Sequence, residues 1–452
     1  MHYDLIIVGG GPGGYTAAFE AAAKKLNTAL IEEREIGGTC LNRGCIPTKT
    51  LVHTADLYRE MKHAAADGIV LESARLDIPA LNAKKEQVVG TLRSGLEKQL
   101  KACGITVISG HAVIVDGHTV RVNEEELSAE HVILASGSVP AGLPIEGSDL
   151  AGVISSDDIL KDVPVFASLI IIGGGVIGCE LAGIYESFGT QVTVLEAMDN
   201  LLPTLDSEAG RSLAMLYKKR GIDVHCKAFA KKIEAAENGL TLSYEEKGAL
   251  KSVTAEKILI ATGRKAATDL FVGETPAMER GRIMVDENGC SDMEGLYVIG
   301  DAAAGYPQLA HTAMAMAVNA VAHMTGTDGH RNLQVIPSGV YTAPEIAAVG
   351  LSEKEALAKG LSVVSGKANT MANARSLISG GERGFVKITA EKESGRIVGA
   401  VMMCERATDL IQELAVGAAQ GMTVSEMLQV IHGHPTFTEV IVAALEALQK
   451  KL

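Results

Sequence analysis

Short apolar runs alternate with amphipathic stretches along most of the chain, and this pattern predicts buried strands alternating with helices. The first unit is "DLIIVGGGPGGYTAAFEAA" followed by "NTALIEE". It predicts a strand, a glycine turn, a helix and a second strand that ends in Glu32. Gly9, Gly11 and Gly14 fit G-x-G-x-x-G. Such a turn lets the backbone approach a pyrophosphate at a helix N-terminus, and the acid would accept hydrogen bonds from an adenosine ribose.

The same arrangement occurs a second time, in "ASLIIIGGGVIGCELAGIYESFGTQVTVLEA". Here the glycines are Gly173, Gly175 and Gly178, and the acid is Glu196. In both copies the acid follows the third glycine by 18 residues. One such motif is a weak signal, but two strand-flanked copies with the same spacing predict two Rossmann-like dinucleotide-binding domains.

Further apolar stretches predict the strands that complete these two dinucleotide-binding units. "HVILASGSVP" (131–140) and "KILIATGRKA" (257–266) are apolar strands ending in a small-residue turn, each closing one unit. A buried strand at 296–299 runs into Gly300-Asp301, and "LAH" at 309–311 suggests a ligand-facing loop. The final ~115 residues contain two predicted strands, "GFVKITA" and "RIVGAVMM", and two predicted helices, "ATDLIQELAVGAAQ" and "TFTEVIVAALEALQKKL". We therefore expect an appended α+β module.

Charge and hydropathy narrow the function classes. The net charge of −14 argues against a general nucleic-acid or anionic-membrane partner. No apolar run reaches the ~18 residues that a membrane-spanning helix needs. We expect a soluble, cytoplasmic protein, in which most of the seven cysteines are reduced thiols.

The acids suggest which cofactors the two units bind. Glu196 would bond the free 2′-hydroxyl of NAD and repel the 2′-phosphate of NADP, which favours NAD for the second unit. A closely spaced cysteine pair follows the first unit directly, so that unit is predicted to bind FAD. Two dinucleotide sites in one chain suggest electron transfer between two cofactors.

That pair, Cys40 and Cys45, lies in "GGTCLNRGCIPTK" and allows four interpretations: a metal site, a structural disulfide, two inert thiols or a redox centre. Zinc sites need a second Cys or His pair, which the chain lacks. A structural disulfide is disfavoured in a reducing compartment. The adjacent FAD fingerprint favours a redox centre over inert thiols.

Helix geometry constrains the pair further. Residues five apart on a regular helix have Cα atoms about 8–9 Å apart, whereas a disulfide allows at most ~7 Å. Pro47 suits a helix start, so we predict Cys45 at a helix N-terminus, which favours a thiolate facing the flavin. Cys40 is then the outer sulfur in the preceding loop. Lys49 lies one turn beyond Cys45, with Glu180 as its predicted partner.

Thiol chemistry also needs a base, and "HGHPTFTEV" offers His434 with Glu439 to orient it. Pro435 is predicted to start the last helix, with His434 at its cap. His434 is 389 residues beyond Cys45, so only the fold or a second subunit can bring them together.

The ordered set of motifs resembles the class I pyridine nucleotide–disulfide oxidoreductases over nearly all 452 residues. It comprises both fingerprints, C-x₄-C, "GDAAAGYPQLAH", "YTAPEIAAVG" and "HGHPTFTE". The resemblance implies an α/β fold with an FAD domain (1–143), an NAD domain (144–265), a central domain completing the FAD site (266–335) and a C-terminal α+β interface domain (336–452). It also implies a homodimer in which His434 of one subunit completes the site of the other.

The resemblance supplies site residues position by position. Those expected to contact FAD are Gly9, Gly11, Pro12, Gly14, Glu32, Thr39, Lys49, Ala112, Ser136, Gly137, Asp301, Leu309, Ala310 and His311. Those expected to contact NAD are Gly173, Gly175, Val176, Ile177, Gly178, Glu180, Glu196 and Gly263. The implied catalytic residues are Cys40, Cys45, Lys49, Glu180, His434 and Glu439, and no metal is expected. Ser136 stands where the family usually has Thr, and Cys404, within "VMMCERATDL", stands where the family usually has a loop of small residues.

Within the family, the chain most resembles the branch that oxidises protein-bound dihydrolipoamide with NAD⁺. The expected partner is a lipoyl-bearing protein of an α-keto acid dehydrogenase complex or of the glycine cleavage system. The alternatives are another NAD(P)H-dependent disulfide reductase of the family, a flavin diaphorase without thiol chemistry, and a non-catalytic subunit of a multi-enzyme complex.

Overall fold

A computed structural model describes residues 2–452 of the chain. Its first 140 residues form seven strands and four helices: β1 (His2–Val8), α1 (Pro12–Ala23), β2 (Thr28–Glu32), α2 (Gly38–Arg43), α3 (Cys45–His63), α4 (Ile78–Ala102), β3 (Thr106–Ser109), β4 (Ala112–Asp116), β5 (Thr119–Val122), β6 (Glu125–Leu134) and β7 (Ser138–Pro140).

The next segment contains β8 (Val153–Ile154), α5 (Ser156–Asp162), β9 (Ser168–Ile172), α6 (Val176–Ser187), β10 (Gln191–Glu196), α7 (Ser207–Lys219), β11 (Asp223–Cys226), β12 (Ala228–Ala236), β13 (Gly239–Glu246), β14 (Ala249–Ala255), β15 (Lys257–Ile260) and β16 (Arg264–Ala266). It is followed by β17 (Met278–Glu279), β18 (Arg282–Ile283), β19 (Leu296–Val298) and α8 (Ala310–Met324).

The C-terminal segment contains β20 (Ser338–Val340), β21 (Glu345–Gly350), α9 (Glu353–Ala358), β22 (Val363–Asn369), α10 (Ala374–Ile378), β23 (Phe385–Glu391), β24 (Ile397–Cys404), α11 (Ala407–Ala419), α12 (Val424–Met427) and α13 (Glu439–Gln449).

Two sheets with parallel strands at their centres carry the glycine turns. The first has the order β3-β2-β1-β6-β5-β4, and β19 also pairs with β6. The second has the order β11-β10-β9-β15-β8, and all its pairs are parallel. β9 and the second half of β1 are apolar and buried, as expected for strands of a parallel sheet that is covered on both faces. β7 and β16 pair antiparallel and join the two units.

The C-terminal segment is built on a five-stranded antiparallel sheet, β20-β21-β24-β23-β22. Together with the two parallel sheets it confirms the predicted α/β fold class with an appended α+β module. The two strands predicted in this module are β23 and β24, while β20, β21 and β22 were not predicted. β20 is three residues long, and β22 includes Ser, Gly, Lys and Asn, so neither has a strong apolar pattern.

The helix that begins at Cys45 packs into the core that unites the second and C-terminal segments. Leu51 of α3 belongs to the same buried cluster as Leu181 of α6 and Phe385 of β23. This packing fixes α3 relative to both neighbouring segments. None of the described helices is long and apolar enough to span a membrane.

Candidate active site

The cysteine pair lies where two helices meet. Cys40 is in α2, and Cys45 is the first residue of α3. Gly44 separates the helices with a φ of −140° and a ψ of −107°, and a Cβ there would lie 2.9 Å from the Thr39 carbonyl oxygen. The expectation that Cys40 lies in a loop is therefore wrong: it lies in a short helix, which the Gly44 kink separates from α3.

The two sulfurs differ strongly in acidity. The structure has both as free, partly buried thiols. The hydrogen bond that the Cys40 thiol donates to Cys45 lowers the pKa of Cys45 to about 7; burial opposes this effect, and the positive charge of Lys49 adds to it. The same hydrogen bond, together with burial, raises the pKa of Cys40. As the pH rises through about 7, the pair therefore loses its first proton from Cys45 and keeps the other on Cys40.

A buried ion pair lies beside Cys45. Lys49 Nζ is 2.9 and 2.8 Å from the two carboxylate oxygens of Glu180. Glu180 is only 3 % exposed and accepts a third hydrogen bond, from the Tyr341 backbone N–H at 2.9 Å. The Lys49 ammonium lies 4.6 Å from the centre of the Tyr341 ring. Burial lowers the pKa of Lys49, but the charge and hydrogen bonds of Glu180 outweigh it and raise the pKa overall.

The first glycine turn lies directly against α2. Gly9 has a φ of +108°, and a Cβ on Gly14 would lie 1.8 Å from the Gly9 carbonyl oxygen. α1 begins at Pro12, and Gly11 at its N-cap offers no side-chain cap, which leaves backbone N–H groups for an anion. A Cβ on Gly38 of α2 would lie 2.7 Å from the Cα of Gly11. Glycine at both positions brings the helix that carries Cys40 up to the turn.

The second glycine turn repeats this geometry. Gly173 has a φ of +112°, and a Cβ on Gly178 would lie 1.9 Å from the Gly173 carbonyl oxygen. α6 begins at Val176, followed by Ile177, again without a side-chain cap. A Cβ on Gly175 meets nothing within 4 Å, so this turn is open.

The acids that end the second strands are held by their own turns. Glu32 accepts hydrogen bonds from the backbone N–H groups of Gly10 at 2.7 Å and Arg34 at 2.9 Å. Glu196 accepts the equivalent bonds from Gly174 and Met198, both at 2.7 Å. Both carboxylates are thus fixed at the ends of their strands, where an adenosine ribose would lie.

Further predicted FAD contacts surround the first turn. The Ile299 side chain and Ala313 of α8 are both within 3.3 Å of the Cβ position of Gly13, so the turn at Asp301 and the start of α8 lie beside α1. Asp301 accepts a 2.5 Å hydrogen bond from Ser138 Oγ. Leu309 is the N-cap of α8, while Ala310 and His311 are its first residues. The loop that contains Asp301 therefore ends at Leu309, and Ala310 and His311 belong to the helix that follows it.

Most of the other predicted contacts lie at strand ends. Ser136 Oγ donates to the Ala267 carbonyl oxygen at 2.6 Å, and Gly137 has a φ of +69°. Ala112 is buried at the start of β4. Gly263 lies between β15 and β16, with a φ of +121°. Thr39 lies in α2, next to Cys40.

His434 and Glu439 form a hydrogen-bonded pair at the start of α13. His434 Nδ1 lies 2.8 Å from Glu439 Oε1, and 74 % of the His434 side chain is exposed. The hydrogen bond to His434 lowers the pKa of Glu439, as does one from the Thr436 N–H. Within the described residues, the groups that shift the pKa values of the two thiols are each other, Lys49 and Glu180, not His434.

The prediction that Pro435 starts the last helix is wrong. α13 begins at Glu439, and residues 435–438 form a turn. The Glu439 carboxylate stabilises this turn by accepting a 2.8 Å hydrogen bond from the Thr436 N–H. His434 therefore projects from the turn before the helix instead of capping it.

Two tyrosines near the redox pair were not predicted. Tyr341 reaches Lys49 and Glu180 from the C-terminal segment, and its signal was its place in "YTAPEIAAVG". Tyr15 follows Gly14 directly; burial raises its pKa, as do the charges of Cys40 and Cys45. Among the described residues, no group of three or more His, Cys, Asp or Glu side chains could hold a metal ion.

Comparison with known proteins gives one consistent family. A dihydrolipoyl dehydrogenase of Haloferax volcanii is 35% identical, over 98% of this chain and 95% of that protein. One of Bacillus subtilis is 36% identical, over 99% and 98%. A leghemoglobin reductase of Glycine max is 33% identical, over 99% and 88%.

Solved structures agree with the sequence relatives. LpdA from Mycobacterium tuberculosis superposes with a TM-score of 0.88 at 26% identity, covering 98% of this chain and 99% of that chain. The HOCl-induced flavoprotein disulfide reductase RclA from Escherichia coli gives 0.86 at 27% identity, with the same coverage.

Family models match in two parts. Residues 3–317 match the model described as pyridine nucleotide-disulphide oxidoreductase, and residues 336–445 match the dimerisation domain of the same family. These matches confirm the resemblance stated from the motifs. The chain is a member of the pyridine nucleotide-disulphide oxidoreductase family.

Proposed function

We propose that the chain is a dihydrolipoyl dehydrogenase, which oxidises protein-bound dihydrolipoamide to lipoamide and reduces NAD⁺ to NADH. The observation that carries the proposal is the pair Cys40 and Cys45, held against the first glycine turn by the contact between Gly38 and Gly11. The names of several relatives at 34–36% identity support the same activity.

The residues present fit the two dinucleotides. The uncapped N-termini of α1 and α6 suit a pyrophosphate, and the turns leave no room for a Cβ at Gly14 or Gly178. FAD would be held by the first turn and Glu32, and NAD by the second turn and Glu196. When bound, FAD supplies the two-electron acceptor between the cysteine pair and NAD⁺.

The dithiol exchange takes place on the oxidised pair. One thiolate of dihydrolipoamide attacks the Cys40 sulfur, a mixed disulfide forms, and Cys45 leaves as a thiolate. The second lipoyl thiol then attacks the lipoyl sulfur of the mixed disulfide, and its proton passes to the departing Cys40 sulfur. This step releases lipoamide and the Cys40 thiol. The low pKa of Cys45 makes it the better leaving group, and Lys49 stabilises its negative charge.

The incoming thiol must lose its proton, and we assign this step to His434 of a second copy of the chain. Glu439, whose pKa is lowered by its hydrogen bond to His434, stays ionised and holds the imidazole at Nδ1. This leaves Nε2 to accept the proton. The dimerisation domain at 336–445 provides the surface through which two copies would meet.

We also propose domain limits, a partner and a cellular location for the enzyme. We propose the domain limits 1–143 for FAD, 144–265 for NAD, 266–335 for the central domain and 336–452 for the interface domain. The lipoyl partner belongs to an α-keto acid dehydrogenase complex or to the glycine cleavage system, and the enzyme works in the cytoplasm.

Steady-state turnover with dihydrolipoamide and the variant Cys45→Ser test the proposal. We expect turnover in Cys45→Ser to fall to background, because no disulfide can form. Cys103→Ser, which changes an exposed cysteine outside the pair, should leave turnover unchanged. Full activity of Cys45→Ser would contradict the thiol mechanism and indicate a diaphorase.

Substrate and cofactor choice need a second assay. We expect NAD⁺ to be preferred over NADP⁺ by at least about tenfold, the effect of one unfavourable charged contact of ~1.5–3 kcal/mol. Faster reduction of glutathione disulfide or coenzyme A disulfide than of lipoamide, with NADH as donor, would assign the chain to another reductase of the family.

A further inference from the structure

Two side chains connect Asp301 to the second dinucleotide-binding unit. Ser138, the first residue of β7, donates its hydroxyl proton to Asp301 Oδ2 at 2.5 Å. Arg264, the first residue of β16, donates from Nε to the same hydroxyl oxygen at 2.8 Å, and from Nη2 to the Ser138 carbonyl oxygen at 2.7 Å. A hydrogen-bonded chain therefore runs from the end of the second unit to a predicted FAD contact.

The direction of each hydrogen bond along this chain is fixed. A guanidinium group has donors only, so the Ser138 hydroxyl oxygen must accept from Arg264, and its single proton remains for Asp301. Only 8 % of Ser138 and 15 % of the Arg264 side chain are exposed, so water competes little for these bonds. The Asp301 carboxylate is thus held through one of its two oxygens.

The other carboxylate oxygen of Asp301 is free to accept a further hydrogen bond. Within residues 2–452 no donor bonds to Oδ1, and Oδ1 is not one of the buried polar atoms without a partner, so it is accessible from solution. The backbone of Asp301 is fixed as well, because its carbonyl oxygen accepts from Arg282 Nε at 3.1 Å. An acceptor that is fixed in this way and remains accessible suits a hydroxyl group of a bound dinucleotide.

A purely structural role, joining the two units, explains only part of the contacts of Arg264. β7 and β16 already pair through their backbones, with Ser138 opposite Ala266, and the bond from Arg264 to the Ser138 carbonyl oxygen strengthens that junction. A carboxylate oxygen of Asp157 lies 3.9 Å from Arg264 Nη1, beyond hydrogen-bond distance. Neither contact explains why Nε is directed at the hydroxyl that bonds to Asp301.

We propose that Ser138 and Arg264 are positioning residues for FAD. They hold Asp301 through Oδ2 and thereby direct Oδ1 to accept a hydrogen bond from a hydroxyl group of the cofactor. The inference rests on the proposed function, in which the first turn binds FAD. Arg264 directly follows Gly263, a predicted NAD contact in the second unit. A residue of the NAD-binding segment therefore contributes to how tightly FAD is held.

The dissociation constant of FAD tests this inference. It is obtained from the fluorescence of FAD that is released on serial dilution of the purified, flavin-containing protein. Ser138→Ala should raise the constant about tenfold, because Asp301 loses a donor to its charged oxygen. Arg264→Met should raise it about threefold, because the Ser138 hydroxyl keeps its proton but loses its fixed direction.

The double variant distinguishes one connected chain from two separate contacts. Independent contacts would multiply to a factor of about thirty, whereas a chain through Ser138 predicts an FAD dissociation constant within about twofold of that of Ser138→Ala alone. With saturating FAD, the KM of Ser138→Ala for NAD⁺ should match that of the wild type. A merely structural role at the junction of the two units would raise this KM too.

Two further variants serve as controls. Arg121→Met removes an arginine of β5 that pairs with Glu126 on the surface of the first sheet, and it should leave the FAD dissociation constant unchanged. Asp157→Asn removes the charge near Arg264 but leaves the bonds from Arg264 to Ser138, so it should change the constant by less than about twofold.

Three results would overturn the inference alone. They are an unchanged FAD dissociation constant in Ser138→Ala, an effect of about thirtyfold in the double variant, and an effect of Asp157→Asn as large as that of Ser138→Ala. A wild-type chain that binds no FAD would overturn the proposed function as well.

Discussion

The two glycine turns have the same backbone but different surroundings. Gly9 and Gly173 have φ values of +108° and +112°, and both acids are held by the same two kinds of backbone hydrogen bond. At the first turn, Gly11 meets Gly38 of the helix that carries Cys40, whereas a Cβ on Gly175 at the second would meet nothing within 4 Å. From this difference we infer that the first turn holds a tightly bound cofactor next to the redox pair, whereas the second turn binds a cofactor that exchanges with solvent.

The largest expected effect comes from breaking the link between the two units. Lys49→Met would leave the Glu180 carboxylate buried without its cation. Loss of one partner of a buried pair costs ~3–5 kcal/mol, and partial exposure of Lys49 reduces our expectation to about 2–3 kcal/mol of unfolding free energy. Denaturant unfolding measures this cost.

The double variant Lys49→Met with Glu180→Gln provides the control. A neutral amide needs no cation and can still accept from the Tyr341 N–H, so most of the lost stability should return. A double variant no more stable than Lys49→Met would show that the ion pair is not the cause.

The contrast between the turns predicts opposite outcomes for two alanines. Gly38→Ala puts a Cβ 2.7 Å from the Cα of Gly11 in a residue with a φ of +57°, and such overpacking costs ~1–3 kcal/mol. We expect lower thermal stability and loss of flavin absorbance on gel filtration.

Gly175→Ala, at the second turn, is the substitution to compare with it. Its φ of −74° is ordinary and its Cβ position is open, so stability should change by less than ~0.5 kcal/mol. The effect should appear instead as a higher KM for NAD⁺. Equal loss of flavin in both variants would remove the distinction between the turns.

The two acids should separate the two cofactors by their effects on cofactor binding. A hydrogen bond to a charged acceptor contributes ~1.5–3 kcal/mol to binding. Its loss in Glu196→Ala predicts a ~10–100-fold higher KM for NAD⁺, with kcat nearly unchanged. Glu32→Ala should instead weaken retention of flavin and leave the KM for NAD⁺ near its original value. Steady-state kinetics and flavin content measure both, and an exchange of the two phenotypes would reverse our cofactor assignment.

The smallest expected effect is a change of acidity. In the reduced protein, alkylation of the pair by iodoacetamide should have its midpoint near pH 7, the pKa of Cys45. The stabilisation that this thiolate gives the fold is fully present above the ordinary thiol pKa near 9 and is lost as the pH falls through 7. Cys40→Ala removes the donated hydrogen bond, so the midpoint should rise.

Cys179 is the internal reference for that experiment. It follows the third glycine of the second turn, and burial raises its pKa, followed by the charge of Glu180. Mass spectrometry should find Cys179 unmodified under conditions that alkylate Cys45. An unshifted midpoint in Cys40→Ala would mean that the Cys40 thiol does not tune its neighbour.

The features that could be predicted from the sequence are those encoded by residues close together in the chain. The glycine turns, their helices and the acids lie within about 25 residues of chain each, and the apolar strands between them have the pattern of doubly covered parallel strands. The pairing of Lys49 with Glu180 was predicted, but only because two motifs placed both residues at helix starts.

The errors arose where single side-chain or backbone contacts, near or distant in the chain, decide local structure. α2 has six residues, flanked by glycines, and it packs on Gly11 of a distant turn. α13 begins at Glu439 because that carboxylate is engaged by the turn before it. The approach of Tyr341 to Glu180 spans 161 residues. None of these contacts leaves a periodic pattern in the sequence.

The hydrogen bonds of Glu196 have a consequence for redesign of coenzyme preference. The carboxylate is only 6 % exposed and ties down the N–H groups of Gly174 and Met198. Replacing it with arginine to bind a 2′-phosphate would leave both N–H donors without an acceptor. Each unpaired donor costs ~1–3 kcal/mol of stability. A change of preference to NADP therefore requires a new acceptor for those two amides. Substitutions at position 196 alone are expected to lower stability without producing a preference for NADP.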